Sequence, residues 1–239
     1  MTDGLVAFIS FREDGGAIVH DTAPDGDHLE LFVERAPAPD GDGGVLPVAT
    51  SDPTIAWTSP GMSIVGRVLI ASTVNAAKIQ SRCAASGEIT VEAWVKPAAV
   101  AQYGPARIVT MSLTGGVPNR NFTLAQDGDH YIFRLRDDGA DGGLIAHPSD
   151  GGVALALTHV AVTARANDAM TFWIDGVRTA HALPPGAIDF QPYRLALANE
   201  IDGFASERLW RGDYRLVAIY FRALSETEIL RNRQVGPTP

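Results

Sequence analysis

Residues 208–230, RLWRGDYRLVAIYFRALSETEIL, set a long β-forming run directly in front of a capped helix. Leu216, Val217, Ile219, Tyr220 and Phe221 are β-branched, aromatic or apolar, and no Gly or Pro interrupts them, so 213–221 reads as a strand of a packed sheet. Ser225-Glu226-Thr227-Glu228 follows as a capping box, in which Ser225 and Glu228 can each satisfy a backbone amide of the other. Leu224 and Ile229 lie where a hydrophobic staple would fix the angle of entry. The junction therefore predicts a strand ending in a short terminal helix.

Upstream, the same alternation recurs. Leu5–Phe11 reads as a strand buried on both faces, and 17–20, 29–33 and 66–71 as further short strands. In 88–95, Ile89, Val91, Ala93 and Val95 point one way and Glu88, Thr90, Glu92 and Trp94 the other. Nine more strands are expected at 107–113, 121–126, 130–136, 143–146, 158–164, 170–174, 177–182, 193–198 and the 213–221 run. Asp127-Gly128 and Asp175-Gly176 are hairpin signals. One helix is expected at 75–85, where Ala76, Ile79 and Cys83 share a face, with Asn75 as cap and Gly87 as stop. Residues 36–61, rich in Pro, Gly and Asp with Trp57 as the one large apolar anchor, read as a long excursion. The expected fold is all-β, a two-sheet antiparallel sandwich with one or two short helices, spanning 1–239 as one domain.

With 46% apolar and 20% charged residues, the 239-residue chain has ordinary globular composition. A net charge of −9 argues against nucleic acid or anionic membrane as partner, since phosphate binding needs a basic face. Cys83, the single cysteine, excludes an internal disulfide and any multi-cysteine metal site. No apolar run of spanning length occurs, and Met1-Thr2-Asp3-Gly4 leads into a strand without a signal-peptide pattern.

Three stretches carry a resemblance: ITVEAWVKP (89–97), LTHVAVTARANDAMTFWIDGV (157–177) and GDYRLVAIYFRALSETEI (212–229). In this order, with LVAFISFREDGGAIVHDTA before them, they resemble a laminin-G-like, concanavalin A-like jelly-roll domain of the bacterial type. The resemblance implies a jelly-roll sandwich and an extracellular or periplasmic setting, often as a part appended to a larger exported protein. It also raises a structural calcium, for which the loop carboxylates Asp21, Asp25 and Asp27 are the candidate ligands and a solvated acidic loop the alternative. The terminal strand of such domains usually carries acidic residues where this chain has Arg215 and Leu216, which weighs against calcium.

Enzymes exist on this architecture, so catalysis needs testing. Sandwich glycanases place two carboxylates on one strand face. Glu88 and Glu92 are the nearest approach, but they sit in a stretch that resembles framework. His159 reads as a hydrogen-bonded sheet histidine rather than a base. The strongest constellation is polar. Arg120, Phe122, Leu124 and Gln126 alternate with Asn121, Thr123 and Ala125, and Arg134 and Arg136 share a strand face about 7 Å apart. Covered guanidiniums need carboxylates or ligand oxygens to meet their donor forks. Asn199, Glu200, Arg208 and Trp210 fall where a strand meets a loop, the usual place for binding residues. Arg120, Asn121, Gln126, Arg134, Arg136, Asn199, Glu200 and Arg208 are the candidates to hydrogen-bond sugar hydroxyls, with Trp210, the ninth, stacking on a pyranose. The competing expectation is an internal network of Arg134 or Arg136 with Glu200. The sequence thus points to a non-catalytic recognition module for a carbohydrate or glycoconjugate. A subunit docking on a larger protein assembly is the alternative, and a glycan-cleaving enzyme a remote one.

Overall fold

A computed structural model describes residues 2–35, 38–39, 45–46, 54–113, 119–138, 144–146, 152–168, 170–182, 186–201 and 208–237. The elements run β1 (Leu5–Ile9), β2 (Ile18–His20), β3 (Glu30–Arg35), β4 (Ala38–Pro39), β5 (Val45–Leu46), β6 (Ile55–Trp57), β7 (Met62–Ile64), β8 (Val68–Ser72) and α1 (Ala77–Ser86). There follow β9 (Glu88–Pro97), β10 (Gln102–Ser112), β11 (Arg120–Gly128), β12 (His130–Leu135), β13 (Leu144–Ala146) and β14 (Thr158–Arg165). The last are β15 (Met170–Ile174), β16 (Val177–Ala182), β17 (Arg194–Leu197), β18 (Gly212–Tyr220) and α2 (Glu226–Val235).

Two antiparallel eight-stranded sheets form the sandwich. The first is ordered β16-β15-β14-β9-β18-β7-β6, with β1 also paired to β18, and the second β13-β12-β11-β10-β17-β8-β3-β2. The run quoted first is the centre of the first sheet. β18 pairs with β9 from Gly212↔Pro97 to Tyr220↔Thr90, and on its other edge with β7 and β1 in turn. Its alternate residues serve two faces, as the period of a strand requires. Tyr214, Val217 and Ile219 enter the core between the sheets, and Leu216, Ala218 and Tyr220 form a second cluster on the outer face with Leu224 and Ile229. The capped helix α2 covers that outer face. The amide and hydroxyl of Ser225 both donate to Glu228 Oε2, at 2.8 and 2.9 Å.

Four expectations need correction. The stretch 36–61 is not one excursion, because 55–57 joins 62–64 at the edge of the first sheet and the Trp57 indole donates to the Gly16 carbonyl at 3.1 Å. Residues 36–37, 40–44 and 47–53 lie outside the described residues. Helix α1 is capped by Ala76 rather than Asn75, while Gly87 ends it in the left-handed region as expected (φ 66°). The first hairpin turns on Gly128 and Asp129, since Asp127 still pairs with His130; the second turns on Asp175 and Gly176 as read. Finally, Arg120 does not share the face of Phe122. Ser112 pairs with Arg120 but Met111 with Phe122, so Asn121 is an extra residue in the ladder. That bulge moves Arg120 to the opposite face of the sheet.

Candidate functional site

Of the nine residues expected to bind ligand, several hold the frame instead. Gln126 is a buried hub: its amide nitrogen donates to the carbonyls of Ala99, Val100 and Gly128, and its oxygen accepts from Gln102 and from the Trp210 indole. Trp210 is fully buried beside Tyr214, ring centroids 4.9 Å apart. It cannot stack on a sugar. Gly212 makes room for it, since a Cβ there would lie 2.5 Å from the indole. Asn121 uses its side chain to pair with the backbone of Gln191, at 2.7 and 2.8 Å. Arg136 is answered by Asp189, at 3.2 Å from Nε and Nη2.

The remaining residues converge on the outer face of the second sheet. Glu200 is fully buried there, and its partner is Arg107, at 2.9 Å, a residue the sequence reading passed over. The expected pairing of Glu200 with Arg134 or Arg136 is replaced by this one. Ser112 Oγ and the Ile201 amide also donate to Glu200. Arg107 is placed by β10, where its amide meets the Arg208 carbonyl at 2.8 Å and its Nη1 the Pro105 carbonyl at 2.9 Å. Register sets Arg134 directly beside Thr123, and Thr123 beside Thr110, so β10, β11 and β12 present one polar row. Arg208 reaches the Gly104 carbonyl at 2.7 Å.

These arginines crowd one another. Arg120 is 2% exposed, and burial first, then the charges of Arg107, Arg134 and Arg208, lower its pKa to about 10 against the pull of Glu200. Arg134 is shifted in the same direction by burial and by Arg107 and Arg208. The Nε of Arg120 and that of Arg134 are buried and find no hydrogen-bond partner among the described residues. Among the described residues, guanidinium donors outnumber carboxylate acceptors here.

Beside this row, the start of β10 borders an open cavity of about 330 Å³ lined by Ala98, Ala101, Gln102, Tyr103, Asn199 and Arg211, among others. Tyr103 is 85% exposed. Gln102 is locked across the cavity wall by exchanging hydrogen bonds with the Arg211 backbone, at 2.8 and 2.9 Å. Gly104 lets the chain pass close to the Gln126 carbonyl where a Cβ would not fit. Nothing in the local sequence distinguishes Tyr103 from a core tyrosine, and the expected strand began only at 107, whereas β10 starts at Gln102. Leu209, which lines the cavity, forms a backbone bridge with Arg107 of the row, and Asn199 on the cavity wall directly precedes Glu200.

The other candidates are occupied. Asp21 accepts from the amides of Phe8, Ala23 and Leu29 and lies 2.5 Å from Lys78 Nζ, which also reaches Asp25 at 3.2 Å. Arg82 stands 3.5 Å from Asp25. Lys78 is thus the cation these carboxylates face; Asp27 is exposed, and this set does not fit calcium. No group of three or more His, Cys, Asp or Glu able to hold a metal occurs among the described residues. Glu88 is held by Arg165 and the Ala223 amide, both at 2.8 Å, and Glu92 is buried against Asn232 at 2.9 Å. His159 lies 3.4 Å from Glu92 without hydrogen-bond geometry, its ring beside Trp94. Its imidazole is therefore packed rather than hydrogen-bonded as expected.

A two-sheet sandwich with a preformed groove at its strand ends defines the class. The chain belongs to the concanavalin A-like lectin/glucanases superfamily, matching its Laminin_G_3 family over residues 71–230, more than half of its length. A search of the curated proteins finds no match. Among solved structures, the binding domain of botulinum neurotoxin serotype D/C VPI 5993 is similar at 12% identity and TM-score 0.63, covering 98% of this chain and 52% of that one. The binding domain of botulinum neurotoxin DC in complex with rat synaptotagmin II has the same values. The DC binding domain in complex with SialylT follows at 11% identity and TM-score 0.60, covering 98% and 52%. The chain spans about half the length of these structures, and at such identity the likeness shows the fold. Among the described residues, no helix is long and apolar enough to cross a membrane.

Proposed function

We propose that this protein is a non-catalytic recognition module that binds carbohydrate in the groove beside Tyr103. One observation carries the reading: a tyrosine 85% exposed at the edge of a cavity lined by Gln102, Asn199 and Arg211. An exposed aromatic face can lie against a pyranose ring while amide and guanidinium donors take its hydroxyls. The groove is preformed, because Gln102 and Arg211 are already bonded to each other and Gln126 fixes the wall behind them. Structural likeness to binding domains, one in complex with SialylT, supports a recognition role and an extracellular setting. The engaged state of Glu88 and of Glu92 supports the non-catalytic reading.

A glycan array probed with the whole protein tests this. The expected result is specific binding, reduced at least about tenfold, or about 1.4 kcal/mol, by Tyr103→Ala with melting temperature unchanged. Binding that survives Tyr103→Ala would place the site elsewhere. Silence across the array would favour a protein partner, for which exposed Val65 and Leu155, lining a shallow cavity with Pro97 and Ala98, are the surface to test.

A further inference from the structure

Among the described residues, the arginine row carries more cation than carboxylate. Arg107 is matched by Glu200. Arg120 and Arg134 feel that same carboxylate but have none hydrogen-bonded to them among the described residues; Arg134 feels in addition Asp127, which is exposed at the β11 hairpin, and Arg208 donates to the Gly104 carbonyl. A guanidinium removed from water costs several kcal/mol unless acceptors replace the solvent. Two such groups with a buried Nε lacking an acceptor form an arrangement that hydrophobic residues would replace at little cost in stability. Guanidinium groups match planar or tetrahedral oxyanions. Arg120 is buried and Arg134 and Arg208 are partly buried, near Thr110 and Thr123, which are bonded to each other, and Ser112, which donates to Glu200.

We infer that Arg120, Arg134 and Arg208 form a subsite for the carboxylate or sulfate group of an acidic saccharide whose neutral part lies in the Tyr103 groove. The saccharide part rests on the function proposed above; the anion preference rests on the arginines alone. Guanidinium forks bind carboxylate and sulfate through paired, charge-assisted hydrogen bonds, which is chemistry that neutral sugars do not need. Glu200 keeps its place in such a complex, holding Arg107 and so the position of the Arg208 backbone. The surrounding arginines stand against a ligand with a cationic group.

The whole protein would be titrated calorimetrically with sialyllactose, a sulfated disaccharide, lactose and sodium sulfate, at matched ionic strength. Arg134→Gln is the test variant, because its half-exposed side chain can be changed without opening the core, and Arg165→Gln on the first sheet is the control. The inference predicts that one acidic sugar binds at least tenfold more tightly than lactose, that Arg134→Gln removes this preference, and that Arg165→Gln does not. Sialyllactose against the sulfated sugar tells carboxylate from sulfate. Equal binding of acidic and neutral sugars, or a preference that survives Arg134→Gln, would overturn the subsite while leaving the glycan reading intact. Saturable sulfate binding lost in Arg134→Gln, with no sugar bound, would overturn the saccharide ligand and redirect the search to an acidic protein surface.

Discussion

Lys78 and Arg120 are both buried cations in the same sandwich, 6% and 2% exposed, yet their surroundings are opposite. Lys78 faces Asp21 and Asp25, and the second of these is shared with Arg82, so two cations meet two anions and Asp21 is further satisfied by three backbone amides. Arg120 faces three other arginines and a carboxylate already bonded to one of them. The first cluster ties α1 to the loop after β2 and is balanced in charge. The second is left with donor capacity. Buried charge that is balanced reads as architecture, whereas buried charge that is unbalanced reads as an invitation to a ligand.

Mutations can break this contrast. The largest effect is expected from Lys78→Met, which leaves Asp21 buried without its cation; urea denaturation should show a loss of about 3–5 kcal/mol. Glu200→Gln removes the buried carboxylate that Arg107 meets and should cost about 3 kcal/mol by the same measurement, with Arg107 displaced. Arg120→Met should do far less, shifting stability by at most about 1 kcal/mol and in the stabilising direction, because it deletes a charge whose burial is not repaid. A loss from Arg120→Met equal to that from Lys78→Met would erase the distinction between the clusters. The smallest effect concerns a solvent-reachable pair. Hydrogen bonds from Arg222, then those from Ser225, bring the Glu228 pKa from 4.5 to about 2. A depressed carboxylate contributes stability above its unfolded pKa and loses it as pH falls through the folded one. The melting temperature should therefore decline between pH 4.5 and 2 partly through Glu228, and Glu228→Gln should flatten that share of the decline.

The parts of this molecule legible in its sequence are those decided within a few residues. The strand-to-helix junction at Leu224-Ser225, the Asp175-Gly176 turn and the alternation of 88–95 all follow from neighbours along the chain, and each stands in the structure. β6 and β7 were missed because three-residue strands among Pro, Gly and Ser carry no period; β18 and the edge pairing hold them in place. The site divided along the same line. Arg120, Arg134, Glu200 and Arg208 stood out as charged residues in strand-like context. Arg107 did not, because its partner lies 93 residues away, and Trp210 looked exposed because the Gln126 that receives its indole is 84 residues distant. The side to which Arg120 points turned on a single bulge residue that alternation alone could not locate.

Gln126 has a consequence for the kinetics of recognition. One amide joins the segment at Ala99-Val100, the start of β10 and the indole of Trp210, so both banks of the groove are already in register before a ligand arrives. A partner then loses its own freedom on binding but does not have to order the protein's. On the glycan-binding role proposed above, association would be governed by encounter and desolvation, and discrimination among sugars would appear in how long each one stays.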